Sequence, residues 1–276
     1  MEMINGNGIA QQILTKLMVE VKKFPFTPLF CDVIIGEDPV AQSYVKIKAR
    51  RAEEIGLKFK LIQLPSSITT LDVVVQLKKI QQDPFLAGLI VQLPLPAQLD
   101  KFAILNAIDP RVDVDCLNAE NAKSFYVGSV KLLPPTAAAV VSVLDSLKLD
   151  LKLLNILVIG QGELVGKPVT ALLKNRGLAV TTSDNSTSNL KDLTSIADII
   201  ISATGQAKLI TGNMIKSGVV LIDCGTSESA GSIVGDIDTE SVAEKARYLA
   251  PVPGGIGPVT VAMLLQNVVE VAKDLE

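Results

Sequence analysis

The sequence predicts an α/β fold with parallel sheets, divided into two domains. Short apolar runs alternate with amphipathic segments of helical length, which is the element order of parallel α/β folds. The length, 276 residues, suffices for two domains of ordinary size. A change in composition at about residues 115–135 separates two alternating halves. We therefore expect a first domain at 1–116, completed by a C-terminal helix at 257–276, and a second domain at 117–256.

In the first half, three predicted strands alternate with three predicted helices. The strands are expected at Leu29–Ile35, Lys58–Gln63 and Gly88–Gln92, and the helices at Gly8–Lys22, Val40–Ile55 and Thr70–Gln82. Asp38 and Pro39 stand before the second helix, where an aspartate suits the N-cap and a proline the first helical position. The turn between Ile35 and this helix is therefore predicted to lead straight into it.

The second half repeats this alternation of strands and helices. Strands are expected at Asn155–Gly160, Ala179–Ser183, Ile199–Ser202 and Val219–Asp223, and helices at Thr136–Leu147, Lys167–Arg176 and Val259–Leu275. A Pro- and Gly-rich segment, 251–258, precedes the last helix. After such a loop the helix can return to the first domain, which would make that domain discontinuous.

Composition and charge exclude several classes of protein. Hydrophobic residues make up 48% of the chain and charged residues 20%, which excludes a disordered protein. No apolar run approaches the roughly 20 residues of a membrane-spanning helix, and the N-terminus lacks the regions of a signal peptide. A net charge of −3 without a basic patch gives no footprint for nucleic acid. We therefore expect a cytoplasmic protein that contacts neither membrane nor nucleic acid.

The chain contains no histidine, which restricts its chemistry. Proton transfer near neutral pH must then fall to Lys, Asp, Glu, Tyr, Cys or water. Ser-His-Asp triads and histidine-ligated metals are excluded. Cys31, Cys116 and Cys224 are widely spaced without a CxxC pair, so they are interpreted as small buried hydrophobic residues and no metal is expected.

A glycine-rich turn in the second half indicates a nucleotide site. The predicted strand Asn155–Gly160 is followed by Gly162, Gly166 and a helix, with the spacing G-x-G-x-x-x-G. Small residues let the backbone approach a pyrophosphate, and the helix N-terminus supplies N–H groups. The next strand runs to Asp184, where an acid can bind ribose hydroxyls. The order predicts a Rossmann-like domain, although a turn without ligand, and a solvated or capping Asp184, remain alternatives.

Polar residues in the first half indicate a second site. Tyr44 and Lys48 lie four residues apart on one predicted helix, hence on one face. Gln92 ends a buried strand, and Asp113 and Asp115 precede the domain boundary, where ligands of α/β folds bind. The alternatives are a surface lysine packed over the tyrosine ring, a strand-ending hydrogen bond for Gln92, and a solvated turn for the two acids.

Five segments form an ordered set of motifs over essentially the whole chain. They are GEDPVAQSYVKIK at 36–48, GLIVQLPLP at 88–96, DVD at 113–115, VGKP at 165–168 and PVPGGIGPVTVA at 251–262. Together they resemble the signatures of the bifunctional methylenetetrahydrofolate dehydrogenase/methenyltetrahydrofolate cyclohydrolases, in that family's order and spacing.

The resemblance implies an activity and an architecture. It implies oxidation of 5,10-methylenetetrahydrofolate by hydride transfer to NAD(P)⁺, followed by hydrolysis of the 5,10-methenyl compound to 10-formyltetrahydrofolate. It also implies an N-terminal folate-binding catalytic domain and a nucleotide-binding domain flanking a cleft, in a homodimer. Two alternatives stay open: a monofunctional dehydrogenase of the family, and a folate-binding protein without turnover. Retention of Lys48 argues against the latter, since binding alone does not need it.

The resemblance also implies residue roles. Lys48 would be the general acid/base, with Tyr44 stacked on the folate and Gln92 hydrogen-bonded near the lysine. Asp115 would bind the pterin, and Pro253, Gly254 and Gly255 would line the folate cleft. The residues expected at the cofactor are Gly160, Gln161, Gly162, Gly166, Asp184, Asn185 and Thr226.

Departures from the family pattern concentrate on the nucleotide side. Val112 and Cys116 stand where the family usually has lysine and glycine, and 134–137 reads Pro-Pro-Thr-Ala. Gln161-Gly162, Asp184-Asn185 and Gly225-Thr226-Ser227 replace the family's nucleotide-site residues. Asp184, with Gln161 where an arginine could hold a 2′-phosphate, favours NAD⁺ over NADP⁺. Lys174, Arg176 or Lys191 are the cations that could offset this preference.

Overall fold

The computed structural model describes residues 1–128, 131–229 and 232–275, and the chain forms two compact units. Unit 1 consists of Met1–Ala10 and Thr136–Thr260, and unit 2 of Gln11–Pro135 and Val261–Glu276. The main sheet of each unit is parallel throughout and accompanied by helices. The predicted two-domain α/β class is therefore confirmed.

The strands and helices are numbered in chain order. The strands are β1 Glu2–Met3, β2 Leu29–Ile35, β3 Lys58–Leu64, β4 Leu86–Val91, β5 Ile156–Ile159, β6 Val180–Ser183, β7 Ile199–Ser202, β8 Val220–Asp223, β9 Ser227–Ser229, β10 Ser232–Val234 and β11 Tyr248–Ala250. The helices are α1 Gly6–Val21, α2 Pro39–Glu54, α3 Thr70–Ile80, α4 Lys101–Leu105, α5 Ala119–Tyr126, α6 Pro135–Ser146, α7 Gly166–Asn175, α8 Leu190–Ile196, α9 Thr239–Val242 and α10 Ile256–Ala272. Short 3₁₀ turns occupy Leu151–Leu153 and Lys273–Leu275.

The division into units differs from the predicted bounds at both ends of the first domain. Residues 1–10 belong to unit 1 because β1 pairs in parallel with β11. Residues 117–135 belong to unit 2, where Asn118 caps α5 and donates from Nδ2 to the carbonyl of Ile108 at 2.9 Å. The structure assigns residues from Val261 onward to unit 2. Glu276, included in the predicted first domain, lies outside the described residues.

The sheet of unit 2 has three parallel strands in the order β3-β2-β4. Every residue of the central strand β2 is buried, as expected for an apolar run covered on both faces. Asp38 caps α2 by accepting a hydrogen bond from the backbone N–H of Ala41 at 2.8 Å, as predicted. On α3, Val73, Leu77 and Ile80 recur at helical spacing and pack into the apolar core with one face of β2.

The sheet of unit 1 has six parallel strands in the order β1-β11-β8-β7-β5-β6. The central strands β5, β7 and β8 are short, apolar and fully buried. A separate antiparallel pair, β9 and β10, follows β8. The glycine turn lies between β5 and α7, and the predicted acid Asp184 directly follows β6. None of the helices within the described ranges is long and apolar enough to cross a membrane.

Candidate active site

The side chain of Lys48 is buried and held by two polar groups in unit 2. Its Nζ lies 2.6 Å from Oδ2 of Asp32 and donates to Oε1 of Gln92 at 2.5 Å. Lys48 is only 5% exposed, so the alternative of a surface lysine is wrong. The contact with Gln92 is the one that the resemblance implies. The contact with Asp32 was not predicted.

The three residues meet because of sheet register and helix position. Asp32 lies in β2 opposite Ile90 of β4, and the backbone N–H of Gln92 donates to the carbonyl of Val33 at 2.8 Å. Side chains alternate across a strand, so Asp32 faces away from the core that Val33 enters. Lys48 reaches Asp32 from α2. Tyr44, one turn earlier on α2, is half-buried.

Asp113 and Asp115 have different surroundings, although sequence spacing could not separate them. Asp113 is buried, and its Oδ2 accepts hydrogen bonds from the backbone N–H of Asn118 at 2.9 Å and Nδ2 of Asn121 at 3.0 Å. It therefore braces the turn before α5. Asp115 is half-buried and interacts electrostatically with Lys48.

Burial raises the pKa values of Asp32, Asp113 and Asp115. The pKa of Asp32 is raised by desolvation, and Lys48 offsets part of that shift. Desolvation also raises the pKa of Asp113, against the hydrogen bonds from Asn118 and Asn121. Desolvation raises the pKa of Asp115 to about 6; Lys48 lowers it, while Asp113 and Asp32 raise it further. Lys48 therefore acts on two of these acids, Asp32 and Asp115, and lowers the pKa of each against the effect of burial.

Asp32 is the functional candidate that sequence reasoning missed. It is the one charged residue in β2, whose sequence is LFCDVII. A fully buried carboxylate needs a partner, because an isolated charge is costly to desolvate. The signal was therefore present in the sequence, but the apolar run was interpreted only as a strand.

Pro253, Gly254 and Gly255 belong to unit 1 and follow β11. Pro253 is exposed and follows a cis peptide bond with Val252. Gly255 is buried, and a Cβ there would lie 2.5 Å from the carbonyl oxygen of Pro251. Backbone packing in this loop thus explains why residue 255 is a glycine. That Pro253, Gly254 and Gly255 line a folate site stays a prediction.

The glycine turn of unit 1 contains two glycines that packing requires and one that it does not. Gly160 has φ +85°, and a Cβ there would lie 2.4 Å from the carbonyl oxygen of Ala203. A Cβ on Gly166 would lie 1.8 Å from the carbonyl oxygen of Gly160. Nothing lies within 4 Å of a Cβ on Gly162. Open space at the N-terminal side of α7 is what a bound pyrophosphate requires.

These glycines give a matched pair of substitutions. Gly162→Ala is expected to leave the thermal unfolding midpoint within about 2 °C of wild type. It is expected to raise the KM for the nucleotide roughly tenfold, because the added methyl group keeps the pyrophosphate away from the backbone. Gly166→Ala is expected to unfold unit 1 or prevent soluble expression, because its Cβ meets backbone. Calorimetry and nucleotide titration check both. If Gly162→Ala leaves the affinity for the nucleotide unchanged, this loop is not part of the nucleotide site.

The other predicted cofactor residues are mostly exposed. The side-chain Nε2 of Gln161 turns back to donate to the Gly160 carbonyl at 3.1 Å and to Oγ1 of Thr170 at 3.3 Å. Asp184, Asn185 and Thr226 are exposed at the ends of their strands or just beyond.

Asp184 takes part in a local turn. Its Oδ1 accepts hydrogen bonds from the backbone N–H of Ser186 at 2.9 Å, from Oγ of Ser186 at 2.6 Å and from Oγ1 of Thr187 at 3.4 Å. The hydrogen bonds from Ser186 lower the pKa of Asp184. The carboxylate is therefore ionised at neutral pH.

Unit 1 also contains two buried acids, Asp223 and Asp236, that sequence reasoning did not single out. Asp223 accepts from the backbone N–H groups of Gly225, Asp236 and Ile237 at 2.9 to 3.0 Å. Desolvation raises its pKa to about 6, against these hydrogen bonds. Asp236 accepts from Oγ of Ser202 at 2.7 Å. Asp236 also accepts from the backbone N–H of Thr204, just after β7, at 2.7 Å. Both acids therefore satisfy backbone groups near strand ends, which is a structural role.

The cysteines and the search for metal ligands complete the site survey. Cys31 and Cys116 are buried, Cys224 is half-buried, and all three are free thiols with pKa values raised by burial. Cys116 adopts φ +59°, a left-handed conformation typical of the glycine that the family usually has there. Across the described ranges, no group of three or more Cys, Asp or Glu residues is arranged to hold a metal ion.

Comparison with known families assigns both parts of the chain. The catalytic domain of tetrahydrofolate dehydrogenase/cyclohydrolase matches residues 4–115, and the NAD(P)-binding domain of the same family matches residues 134–276. The chain belongs to the tetrahydrofolate dehydrogenase/cyclohydrolase family. The resemblance drawn from the five motifs is thereby confirmed.

Relatives within the family match over nearly the full length. The bifunctional protein FolD of Lactobacillus acidophilus is 41% identical over 276 residues, covering 99% of this chain and 97% of that protein. The solved structure of the bifunctional FolD methylenetetrahydrofolate dehydrogenase/cyclohydrolase of Campylobacter jejuni is 34% identical, with a TM-score of 0.95 and 99% of both chains covered. The Trypanosoma brucei enzyme, complexed with NADP and an inhibitor, is 32% identical, with a TM-score of 0.93 and coverage of 99% and 97%.

Proposed function

We propose that this chain oxidises 5,10-methylenetetrahydrofolate with NAD(P)⁺ and then hydrolyses the 5,10-methenyl product to 10-formyltetrahydrofolate. The observation that carries the proposal is the buried Lys48, held between Asp32 and Gln92 in a member of this family. A lysine fixed in this way is a proton carrier in a chain that has no histidine.

The oxidation step depends mainly on positioning. A bound nicotinamide would supply the hydride-accepting chemistry for the bridging methylene of the folate. The open space at Gly162 and the N-terminus of α7 supply the pyrophosphate site, for which Gly160 and Gly166 allow the tight turn. Tyr44 stacks on the folate, and Asp115 accepts hydrogen bonds from the pterin. These groups orient the methylene toward the nicotinamide.

The hydrolysis step depends on Lys48. Water attacks the methenyl carbon, and a proton must leave the attacking water before the ring opens. Lys48 accepts this proton and delivers one to the departing ring nitrogen, while Gln92 fixes the position of Nζ. The remaining hydroxyl proton leaves for solvent as the formyl C=O bond forms. The pair of steps consumes one oxidised nucleotide and one water for each folate and releases one proton.

One assay separates the proposal from its alternatives. The protein is mixed with 5,10-methylenetetrahydrofolate and either nucleotide, and absorbance is recorded for reduced nucleotide and for the methenyl compound. Reduced nucleotide without lasting methenyl absorbance supports both activities. Accumulation of the methenyl compound would identify a monofunctional dehydrogenase, and no reduction of either nucleotide would leave a folate-binding protein.

We further propose that NAD⁺ is used at least as well as NADP⁺. The exposed, ionised Asp184 follows β6, and a carboxylate at this position would repel the negative charge of a 2′-phosphate. Arg176, one of the cations that could offset it, is paired with Asp145 at 2.8 Å.

The expected result is a kcat/KM for NAD⁺ that equals or exceeds that for NADP⁺, with Asp184→Ser shifting the ratio toward NADP⁺. The control is Asp192→Ser, which removes one exposed acid from α8 in the same unit. A wild-type preference for NADP⁺ above about tenfold that Asp184→Ser leaves unchanged would show that Asp184 does not face the ribose.

Dimerisation and cytoplasmic location belong to the same proposal. Strand β3 forms one edge of the sheet of unit 2, and its Leu61 is 46% exposed. An exposed edge strand with an apolar side chain is a surface on which a second copy can pair. Light scattering of the purified protein tests the homodimer, and a monomer at all concentrations would exclude it.

A further inference from the structure

Asp32 is a buried acid on the face of β2 opposite to the apolar core that Val33 enters. It is fully buried within β2, and its Oδ2 lies 2.6 Å from Nζ of Lys48. Its Oδ1 has no hydrogen-bond partner among the residues that the structure describes. Burying a carboxylate carries a desolvation cost that an apolar strand residue would avoid. The presence of an acid at this position therefore points to a functional role.

The geometry around Nζ leaves one direction open for a substrate. An ammonium group has three N–H donors. The contacts with Asp32 and Gln92 take two of these directions, at 2.6 and 2.5 Å. The third direction remains for the reacting water or the folate nitrogen. Asp32 and Gln92 together therefore fix which proton of Lys48 can be transferred.

The charges around Lys48 favour sharing of protons within the cluster. Lys48 from α2 is the charged group that acts on Asp32, and Asp115 from the segment after β4 interacts with both. Asp113 acts on Asp115 from the same segment, Gln92 is neutral, and Tyr44 carries a phenol on α2. Asp32 and Asp115 thus both act on one cation, and Asp113 acts on Asp115. Because the carboxyl of Asp32 is desolvated and its Oδ2 lies against the ammonium group of Lys48, a proton can move between the two groups.

We propose that Asp32 is a positioning residue that takes the proton of Lys48 and so frees the amine to act as a base. Within the pair, an N–H bond of the ammonium breaks and an O–H bond forms on Oδ2, which converts ammonium and carboxylate into amine and carboxylic acid. Rotation about the Cε–Nζ bond turns the lone pair of the free amine from Oδ2 toward the third direction, where it accepts one proton of the attacking water. The amine passes that proton to the ring nitrogen as its bond to the formyl carbon breaks, and the remaining hydroxyl proton of the adduct leaves for solvent as the C=O bond forms. The carboxylic acid then returns its own proton to the amine. This inference rests on the proposed function.

The pH profile of hydrolysis separates this role from a merely structural one. In wild type, Lys48 can act as a base whenever Lys48 and Asp32 share a single proton between them. The low-pH side of the pH–rate profile, its acid limb, is therefore set by the two residues together. In Asp32→Asn the amine is available only after Lys48 has lost its proton to solvent. We expect the acid limb to move to higher pH by about one unit or more, kcat near neutral pH to fall at least about tenfold, and the folate KM to stay within about threefold. A lower kcat with an unmoved limb would reduce Asp32 to a packing role and overturn the proposal.

The matched control is Asp223→Asn, which removes a buried acid from unit 1. Hydrolysis of the methenyl compound needs no nucleotide, so this variant is expected to keep the wild-type pH profile of that step. Circular dichroism and thermal unfolding establish that each variant is folded. An equal shift in Asp223→Asn would show that loss of any buried acid moves the profile and would overturn the assignment to Asp32.

A measurement on the wild-type protein is independent of activity and of variant folding. Carbon-13 NMR follows the carboxyl carbon of Asp32 and the ε-carbon of Lys48 as pH changes. The proposal expects both resonances to respond over a common pH range, because the proton is shared. Independent titrations would overturn it. If the wild type fails to hydrolyse the methenyl compound, the proposed function fails, and a common NMR transition still establishes the proton-sharing pair.

Discussion

Lys48→Met is expected to abolish hydrolysis of the methenyl compound while dehydrogenase activity is lost less completely. Hydride transfer depends on orientation, whereas ring opening needs a proton carrier that contributes roughly 10²–10⁴ in rate. Methionine retains an unbranched apolar chain but supplies no proton. The two activities are measured separately, as reduction of nucleotide and as loss of added methenyl compound.

The control for this substitution lies on the same helix. Lys46 is exposed on α2, and Lys46→Met removes the same charge without touching Asp32 or Gln92. It is expected to keep both activities within about twofold of wild type, as is usual for exposed positions. Hydrolysis at the wild-type rate by Lys48→Met would refute the role of Lys48 as proton carrier.

Substitution of Asp115 and Asp113 is expected to give opposite phenotypes. Asp115→Ala should raise the folate KM by roughly tenfold to a hundredfold, because a hydrogen bond to a charged group contributes about 1.5–3 kcal/mol. Asp113→Asn should instead lower the free energy of unfolding by about 1–3 kcal/mol, since its Oδ2 serves both Asn118 and Asn121. Denaturant unfolding and folate saturation curves distinguish the two.

The pH dependence provides a second test of Asp115. Its pKa is raised to about 6, so the ionised fraction falls as pH drops through that value. If the carboxylate binds the pterin, the folate KM of wild type rises below about pH 6, and Asp115→Ala loses this dependence. Two results would contradict the assignment. One is an Asp113→Asn variant that keeps wild-type stability but loses activity, and the other is an Asp115→Ala variant that loses no activity.

Sequence pattern predicted the elements whose local signal is strong. Strands β2 and β7 have the predicted bounds, and α2 begins at its predicted cap, because apolar runs and capping residues are local features. Strands β1 and β11 were not predicted. They have two and three residues and exist through pairing with each other and with β8, which are contacts between distant segments.

The residues of the candidate site that lie within recognisable sequence motifs could be predicted. Lys48 and Gln92 were singled out from their motifs, and the structure brings them into contact. Asp32 escaped because only the fold shows that Lys48 lies beside it. Sequence spacing could not show which of Asp113 and Asp115 has a structural role, because alternate residues of an extended segment share a face. The hydrogen bonds from Asn118 and Asn121 to Asp113 distinguish the two in the structure.

The interleaving of the two units has a consequence for biosynthesis. Unit 2 begins at Gln11, yet it includes Val261 and the rest of α10, whose Asn267 donates from Nδ2 to the backbone carbonyls of Val114 and Leu133 at 2.8 Å. A ribosome makes this chain from the N-terminus, and domains generally fold in order of synthesis. Here all of unit 1 is synthesised before the last segment of unit 2. Residues 11–135 therefore lack part of their packing while residues 136–260 are translated. We expect this interval to be the one in which a chaperone matters most.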